Sequence, residues 1–174
     1  IVILASQSKQ RRLLMESLGI PFEIHPADID EQSIIDKDES RRVVTIARTK
    51  ACKVASFYPK NAIIAADSVV IYNNRVLEKP TSKEEGREML RLISGQETIG
   101  LTGVVCVWKG KVWQEACVKS YARLRRLTCS EIDRYVDTQP VTTWAGGFSP
   151  AYPAGANLLE SLNGSVTGYN YGFP

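Results

Sequence analysis

"IVILASQSKQRRLLMESLGIPF", residues 1–22, reads as a strand, a polar turn and a helix in direct succession. Ile1–Leu4 is a run of β-branched and aliphatic residues of the kind a buried strand uses. Ser6, Gln7 and Ser8 form the turn. Leu14, Met15 and Leu18 then recur at helical spacing, and Gly19 followed by Pro21 stops the helix. Projected backwards, that spacing puts Arg11 at the N-terminal end of the same stripe. A turn of this type presents free N–H groups and the positive end of the helix dipole. Arg11 and Arg12 add guanidinium groups whose paired donors fit phosphate oxygens. The segment is thus an anion site in outline. It reads equally as an N-cap serine followed by two solvated arginines, and these 22 residues alone do not choose.

Outward from this unit the pattern keeps alternating. Phe22–His25 predicts a second strand, followed by an acidic loop with Asp28, Asp30 and Glu31. Residues 39–58 predict a helix with Val43, Ala47, Ala51, Val54 and Ala55 on its apolar face, ended by Pro59. "NAIIAADSVVIYNNRVLEKP", residues 61–80, predicts a long strand, a turn at Asn73-Asn74 and a short return strand. Ser82 with Glu85 forms a capping-box pattern that opens a helix to Ser94-Gly95. Strands follow over 99–108 and 112–127, then a short helix capped by Thr128 or Ser130. The remainder, rich in Gly, Pro and Tyr, predicts loops with short strands. The class is α/β with a mixed twisted sheet and flanking helices, in one domain over 1–174.

Bulk properties narrow the function. With 44% hydrophobic and 24% charged residues the chain is of globular composition. No apolar run approaches a membrane span, and no basic leader precedes the first strand, so a cytoplasmic setting without membrane attachment is expected. A net charge of +3 suits a small anionic ligand; nucleic acid usually demands a stronger basic footprint. The four cysteines show no C-x-x-C spacing and are expected as buried thiols. The single histidine, His25, rules out a multi-histidine metal site, so hydrolytic chemistry would rest on carboxylates, lysines, arginines and a divalent ion.

Three charges interrupt their local pattern. Asp67 lies in "AIIAADSVVIY", on the face that carries Ile63, Ala65, Val69 and Ile71. A carboxylate there needs a partner, a metal or water, or else marks a strand end or bulge. Lys50 lies near the edge of its helix's apolar face, where a lysine stem can also simply cover the core. Lys79 precedes Pro80 and projects from an extended segment. Together Arg11, Arg12, Lys50 and Lys79 supply four positive charges, and Asp67 with Glu31 supplies two carboxylates. That inventory suits a polyphosphate, whose chemistry is mainly positioning and charge neutralisation. No P-loop and no G-x-G-x-x-G sequence is present.

"LASQSKQRRLLMESLGI", "ARTKACKVA", "AADSVVIYNNRVLEKP", "LISGQETIGLTGV", "LTCSEIDRYV" and "AGGF" occur in the order and spacing of the Maf family, and the chain resembles that family over nearly its whole length. Maf proteins are nucleoside triphosphate pyrophosphatases once described as septum-formation inhibitors. The resemblance implies an elongated two-lobed fold with a central cleft, similar to inosine triphosphate pyrophosphatases. It also implies cleavage of a nucleoside triphosphate to the monophosphate and pyrophosphate with Mg²⁺ or Mn²⁺, in nucleotide-pool control. By position Asp67 matches the proton acceptor and Glu31 an acidic residue beside the metal. Ser8, Arg11 and Arg12 fall in the phosphate-binding motif, and Lys50 and Lys79 match its lysines.

The departures concern base selection. Gln10 stands where subgroups carry Arg or Trp, and Ser68 where they carry Thr or Gln. Trp144 replaces a lysine before the A-G pair, and Ala151 falls nearest the usual Gln or Glu. The family's terminal helix is not expected within residues 1–174. Ser68 leans towards a pyrimidine nucleotide, whereas the S-x-x-R-R spacing and residues 127–136 lean towards 7-methylguanosine triphosphate. A catalytically weak nucleotide-binding regulator of cell division is the alternative function, and a homodimer is allowed for.

Overall fold

A three-stranded parallel core explains why the first 70 residues fold as they do. In the computed structural model, which describes residues 1–174, β1 (Val2–Leu4) lies between β2 (Phe22–Ile24) and β3 (Ala62–Tyr72). Val2 is in register with both Phe22 and Ala62, and Leu4 with Ile24 and Ile64. Parallel neighbours need crossover helices, here α1 (Lys9–Ser17) and α2 (Glu39–Phe57). The chain leaves β1 on one side through α1 and returns to its other side through α2. The two helices therefore cover opposite faces. On one face Ile3, Ile63 and Ala65 pack with Ala47, Ala51 and Val54 of α2. On the other, Leu4 and Ala66 pack with Met15 of α1 and with Phe173. Strand alternation thus separates odd from even residues of β3. Each buried Val, Leu or Ile contributes about 1.5–3 kcal/mol.

The sheet continues with β5 (Glu97–Trp108) and β6 (Lys111–Leu124), joined by a turn with Lys109 and Gly110 at φ 51° and 74°. Its strand order is β2-β1-β3-β5-β6-β7, with β4 (Arg75–Val76) beside β3 and β7 being Leu159–Asn163. The mixed α/β class expected from the sequence is correct. The chain divides into two compact units, one of Ile1–Ser68, Leu101–Val118 and Thr167–Pro174, the other of Val69–Gly100 and Lys119–Val166.

Within the first unit, Gly103 on β5 lets the backbone of α2 approach the strand. A Cβ there would stand 2.4 Å from the Val43 carbonyl carbon and 2.5 Å from the Val44 nitrogen. Backbone cannot yield as a side-chain tip does, so Gly103→Ala is expected to destabilise by about 3 kcal/mol. For a chain of this size that is a fall of roughly 6–12 °C in Tm, readable by calorimetry.

In the second unit, β3 turns through Asn73 and Asn74, at φ 49° and 60°, into β4, as the sequence predicts. The helix α3 (Lys83–Ile93) packs on α4 (Cys129–Thr138), and Arg87 of α3 bridges to Asp133 and Asp137 of α4. Ser82 caps α3, accepting from the Glu85 N–H at 3.2 Å. The Glu85 carboxylate, however, takes the Thr81 N–H and hydroxyl at 2.6 Å each, so the reciprocal half of the expected capping box is shifted by one residue. The cap of α4 is complete and belongs to Thr128, not Ser130.

Glu131 closes that box. Its carboxylate accepts from the Thr128 N–H at 2.8 Å, from Arg125 at 2.7 Å and from the Thr128 hydroxyl at 3.0 Å. These bonds, the Thr128 N–H foremost, lower its pKa from an ordinary 4.5 to about 2. The unfolded chain therefore binds the proton first. The stabilisation is present above about pH 4.5 and lost as pH falls through about 2. Glu131→Gln should flatten this part of the acid limb in urea titrations across pH 2–5.

Two expectations need correction. Cys52, Cys117 and Cys129 are exposed and Cys106 is half-buried, because each lies on a solvent-facing side of its element. The tail holds more helix than loops with short strands would give: α5 (Pro153–Ala156) and α6 (Val166–Tyr171) flank β7. Both are short and rich in glycine or proline, which hides a helical period. Pro153 sits in the first turn of α5, where its missing N–H costs nothing.

Candidate active site

In open α/β sheets, ligands collect at the carboxyl ends of parallel strands, at the point where the strand order reverses. Here that point is the end of β1. The chain runs from Leu4 into Ala5–Ser8, while β3 carries Asp67 and Ser68 past the level where β1 has stopped. A pocket of about 170 Å³ opens there, lined by Ala5, Ser6, Gln7, Pro26, Ala27, Glu31 and Lys50. It is smaller than the roughly 300–1,000 Å³ that drug-sized ligands occupy. Its size and polar lining suit one charged group of a larger ligand.

Asp67 and Ser68 are consecutive on a strand and so face opposite sides of the sheet. Each receives one buried cation. On the α2 side, Lys50 is only 8% exposed, and its Nζ lies 2.9 Å from an Asp67 carboxylate oxygen and 2.9 Å from one of Glu31. Lys50 belongs to the buried stripe of α2 with Val43, Ile46, Ala47, Ala51 and Val54, not to its edge. A buried ammonium without partners would be very costly, and the two carboxylates supply them. Glu31 begins a short 3-10 turn whose N-cap, Asp30, accepts from the Gln32 and Ser33 N–H groups. That cap sets the loop that delivers Glu31.

On the α1 side, Arg11 is 9% exposed. Its Nη2 donates to Ser68 Oγ at 3.1 Å, its Nη1 to Ser6 Oγ at 3.1 Å, and its Nε to the Gly172 carbonyl at 2.8 Å. Burial pushes the Arg11 guanidinium below its ordinary pKa, and the charges of Asp67 and Glu31 act in the opposite direction. Ser8 is the N-cap of α1 and accepts from the Arg11 N–H at 3.4 Å. Its hydroxyl donates to Gln10 Oε1 at 3.1 Å. The first βα unit is therefore a helix capped by Ser8 that buries one of its two arginines, Arg11, at its start.

The sequence candidates separate clearly. In the first unit Lys50 contacts Asp67 and Glu31, Arg11 contacts Ser68, and Asp67 and Ser68 are consecutive on β3; Ser8 and Gln10 stand at the start of the helix that carries Arg11. Arg12 points to solvent, its side chain 59% exposed and paired with Glu16 at 2.7 Å. Lys79 is an exposed residue of the second unit, on the extended segment before Pro80. No three His, Cys, Asp or Glu side chains cluster as a ready metal site. His25 is structural: its Nδ1 lies 3.0 Å from the Tyr58 hydroxyl, beside the Phe57 ring. Ser6 was missed by the sequence reading; a serine in the turn before a helix was its only signal. Trp144 is buried against Tyr152 in the second unit.

Fold and site together define an α/β protein with two buried cations and two carboxylates at its sheet switch point. The chain belongs to the Maf-like protein family, whose sequence profile matches residues 1–170. It is 34% identical over 163 residues to a dTTP/UTP pyrophosphatase of Pyrococcus furiosus, covering 94% of this chain and 84% of that protein. A dTTP/UTP pyrophosphatase of Anaeromyxobacter dehalogenans is 36% identical over 170 residues, covering 95% and 84%. A 7-methyl-GTP pyrophosphatase of Alkalilimnicola ehrlichii is 36% identical over 174 residues, covering 99% and 87%. No helix of the chain is long and apolar enough to cross a membrane.

Proposed function

We propose that this chain hydrolyses a nucleoside triphosphate to the nucleoside monophosphate and pyrophosphate. The observation that carries the reading is the Lys50 ammonium held between Asp67 and Glu31, one residue along β3 from the buried Arg11–Ser68 contact. The names of the relatives support the same class of reaction.

In this reading Asp67 accepts the proton of a water whose oxygen forms a bond to the α-phosphorus. The bond between the α-phosphorus and its bridging oxygen to the β-phosphate breaks, and pyrophosphate departs with that oxygen. Arg11 and Lys50, the two buried cations, hold the phosphates and offset the charge that gathers on the leaving group. Two carboxylates already converge on one cationic atom, Lys50 Nζ, and this acidic pair fits a divalent ion. Asp67 and Glu31 would hold Mg²⁺ or Mn²⁺, which supplies Lewis-acid polarisation of phosphate oxygens. A link to septum formation rests on the family resemblance alone.

The test is pyrophosphate release with Mg²⁺ or Mn²⁺ across dTTP, UTP, CTP, GTP, ITP and 7-methylguanosine triphosphate. One strong substrate is expected, and it identifies the base that this chain accepts. Silence across the panel with nucleotide still bound would overturn the enzyme reading in favour of a nucleotide-binding regulator.

A further inference from the structure

Arg11 is held by a closed circuit of hydrogen bonds that reaches it from the last residues of the chain. Its Nε–H donates to the Gly172 carbonyl at 2.8 Å, and the Gly172 N–H donates to the Gly168 carbonyl at 3.0 Å. The Thr102 hydroxyl donates to that same Gly168 carbonyl at 3.3 Å and lies 3.1 Å from Ser68 Oγ. Arg11 Nη2, donating to Ser68 Oγ at 3.1 Å, closes the ring. All five residues belong to the first unit.

Donor chemistry fixes every direction. A guanidinium only donates and a carbonyl only accepts. The one proton of Thr102 goes to Gly168, so Ser68 donates its own to Thr102 and accepts from Arg11. With Ser6 on Nη1, three of the five guanidinium N–H groups are committed. One N–H remains on each terminal nitrogen. Gly172 is at φ +65°, and a Cβ there would lie 2.9 Å from Ser68 Oγ, 3.3 Å from Arg11 Nη2 and 3.4 Å from Arg11 Nε. Thr102 is 3% exposed, so its hydroxyl has no water to fall back on.

We propose that Thr102 and Gly172 are positioning residues for Arg11. The circuit sets the plane of the guanidinium so that its two uncommitted N–H groups meet a phosphate oxyanion together. A guanidinium ordered in advance spends less rotamer entropy on binding. This rests on the proposed reading of the site as one for a triphosphate.

The test measures tripolyphosphate binding to the full chain by calorimetry, alongside steady-state pyrophosphate release. Thr102→Val is expected to weaken tripolyphosphate about tenfold and to raise KM by a similar factor, with kcat within about threefold. Thr102→Ser restores both values, and Gly172→Ala reproduces the loss. Wild-type binding by Thr102→Val overturns the proposal, as does a loss that Thr102→Ser fails to restore, or a fall in kcat at unchanged KM. If Thr102→Val does not fold, Gly172→Ala against Thr102→Ser decides: a difference supports the circuit, equal wild-type binding overturns it. Should the wild type bind tripolyphosphate yet release no pyrophosphate from any nucleotide, the reaction assignment falls while the binding series still judges the circuit.

Discussion

Asp67→Asn is expected to lower turnover by about 10³-fold, within the usual range for loss of a positioned general base. The amide keeps the size of the carboxylate and can still accept from Lys50, so the local fold persists. It cannot take a proton from water. Without added metal ion, nucleotide affinity should hold or rise, because one negative charge is removed from beside Lys50 while Arg11 keeps its own partners. Calorimetry with an unhydrolysable triphosphate analogue, paired with single-turnover rates, separates the two quantities. Asparagine retaining most of the rate would remove Asp67 from the role of base.

Lys50→Met is expected to cost stability as well as activity. The substitution preserves the stem that packs in the α2 stripe and deletes only the ammonium. Asp67, whose side chain is 14% exposed, is then left with no cation in contact, whereas Glu31, at 47%, turns to water. Breaking a buried pair from one side costs about 3–5 kcal/mol, and the half-open setting of Glu31 places the expectation near about 3 kcal/mol. The double variant Lys50→Met with Asp67→Asn should recover much of this loss, since no buried carboxylate is left without a partner and Glu31 is solvated, while staying inactive. Urea unfolding of the three proteins checks it. A double variant no more stable than Lys50→Met would mean that the Lys50 stem, not the charge pair, accounts for the loss.

Much of this site can be read along the chain because its elements are local. The apolar run before Ser6 and the helical spacing after Ser8 require a strand, turn and helix, and a capping serine fixes where the helix starts. Asp67 stood out for the same kind of reason, as a carboxylate inside an apolar strand pattern. Arg12 shows where this reasoning fails. Adjacent arginines look alike in one dimension, but a helix turns about 100° per residue. One of the pair is therefore buried and the other is left to Glu16 in solvent.

The sequence by itself determined the α/β class, the identity of the elements around β1 and β3, and the inventory of charges near them. These follow from periodicity and capping, which act over a few residues. Tertiary structure decided which charge meets which. Lys50 reaches Asp67 across 17 positions, and Arg11 reaches Gly172 across 161. No local pattern encodes such pairings. They arise because the strand order reverses at β1, placing α2 and α1 on opposite faces of the residues that β3 carries past it.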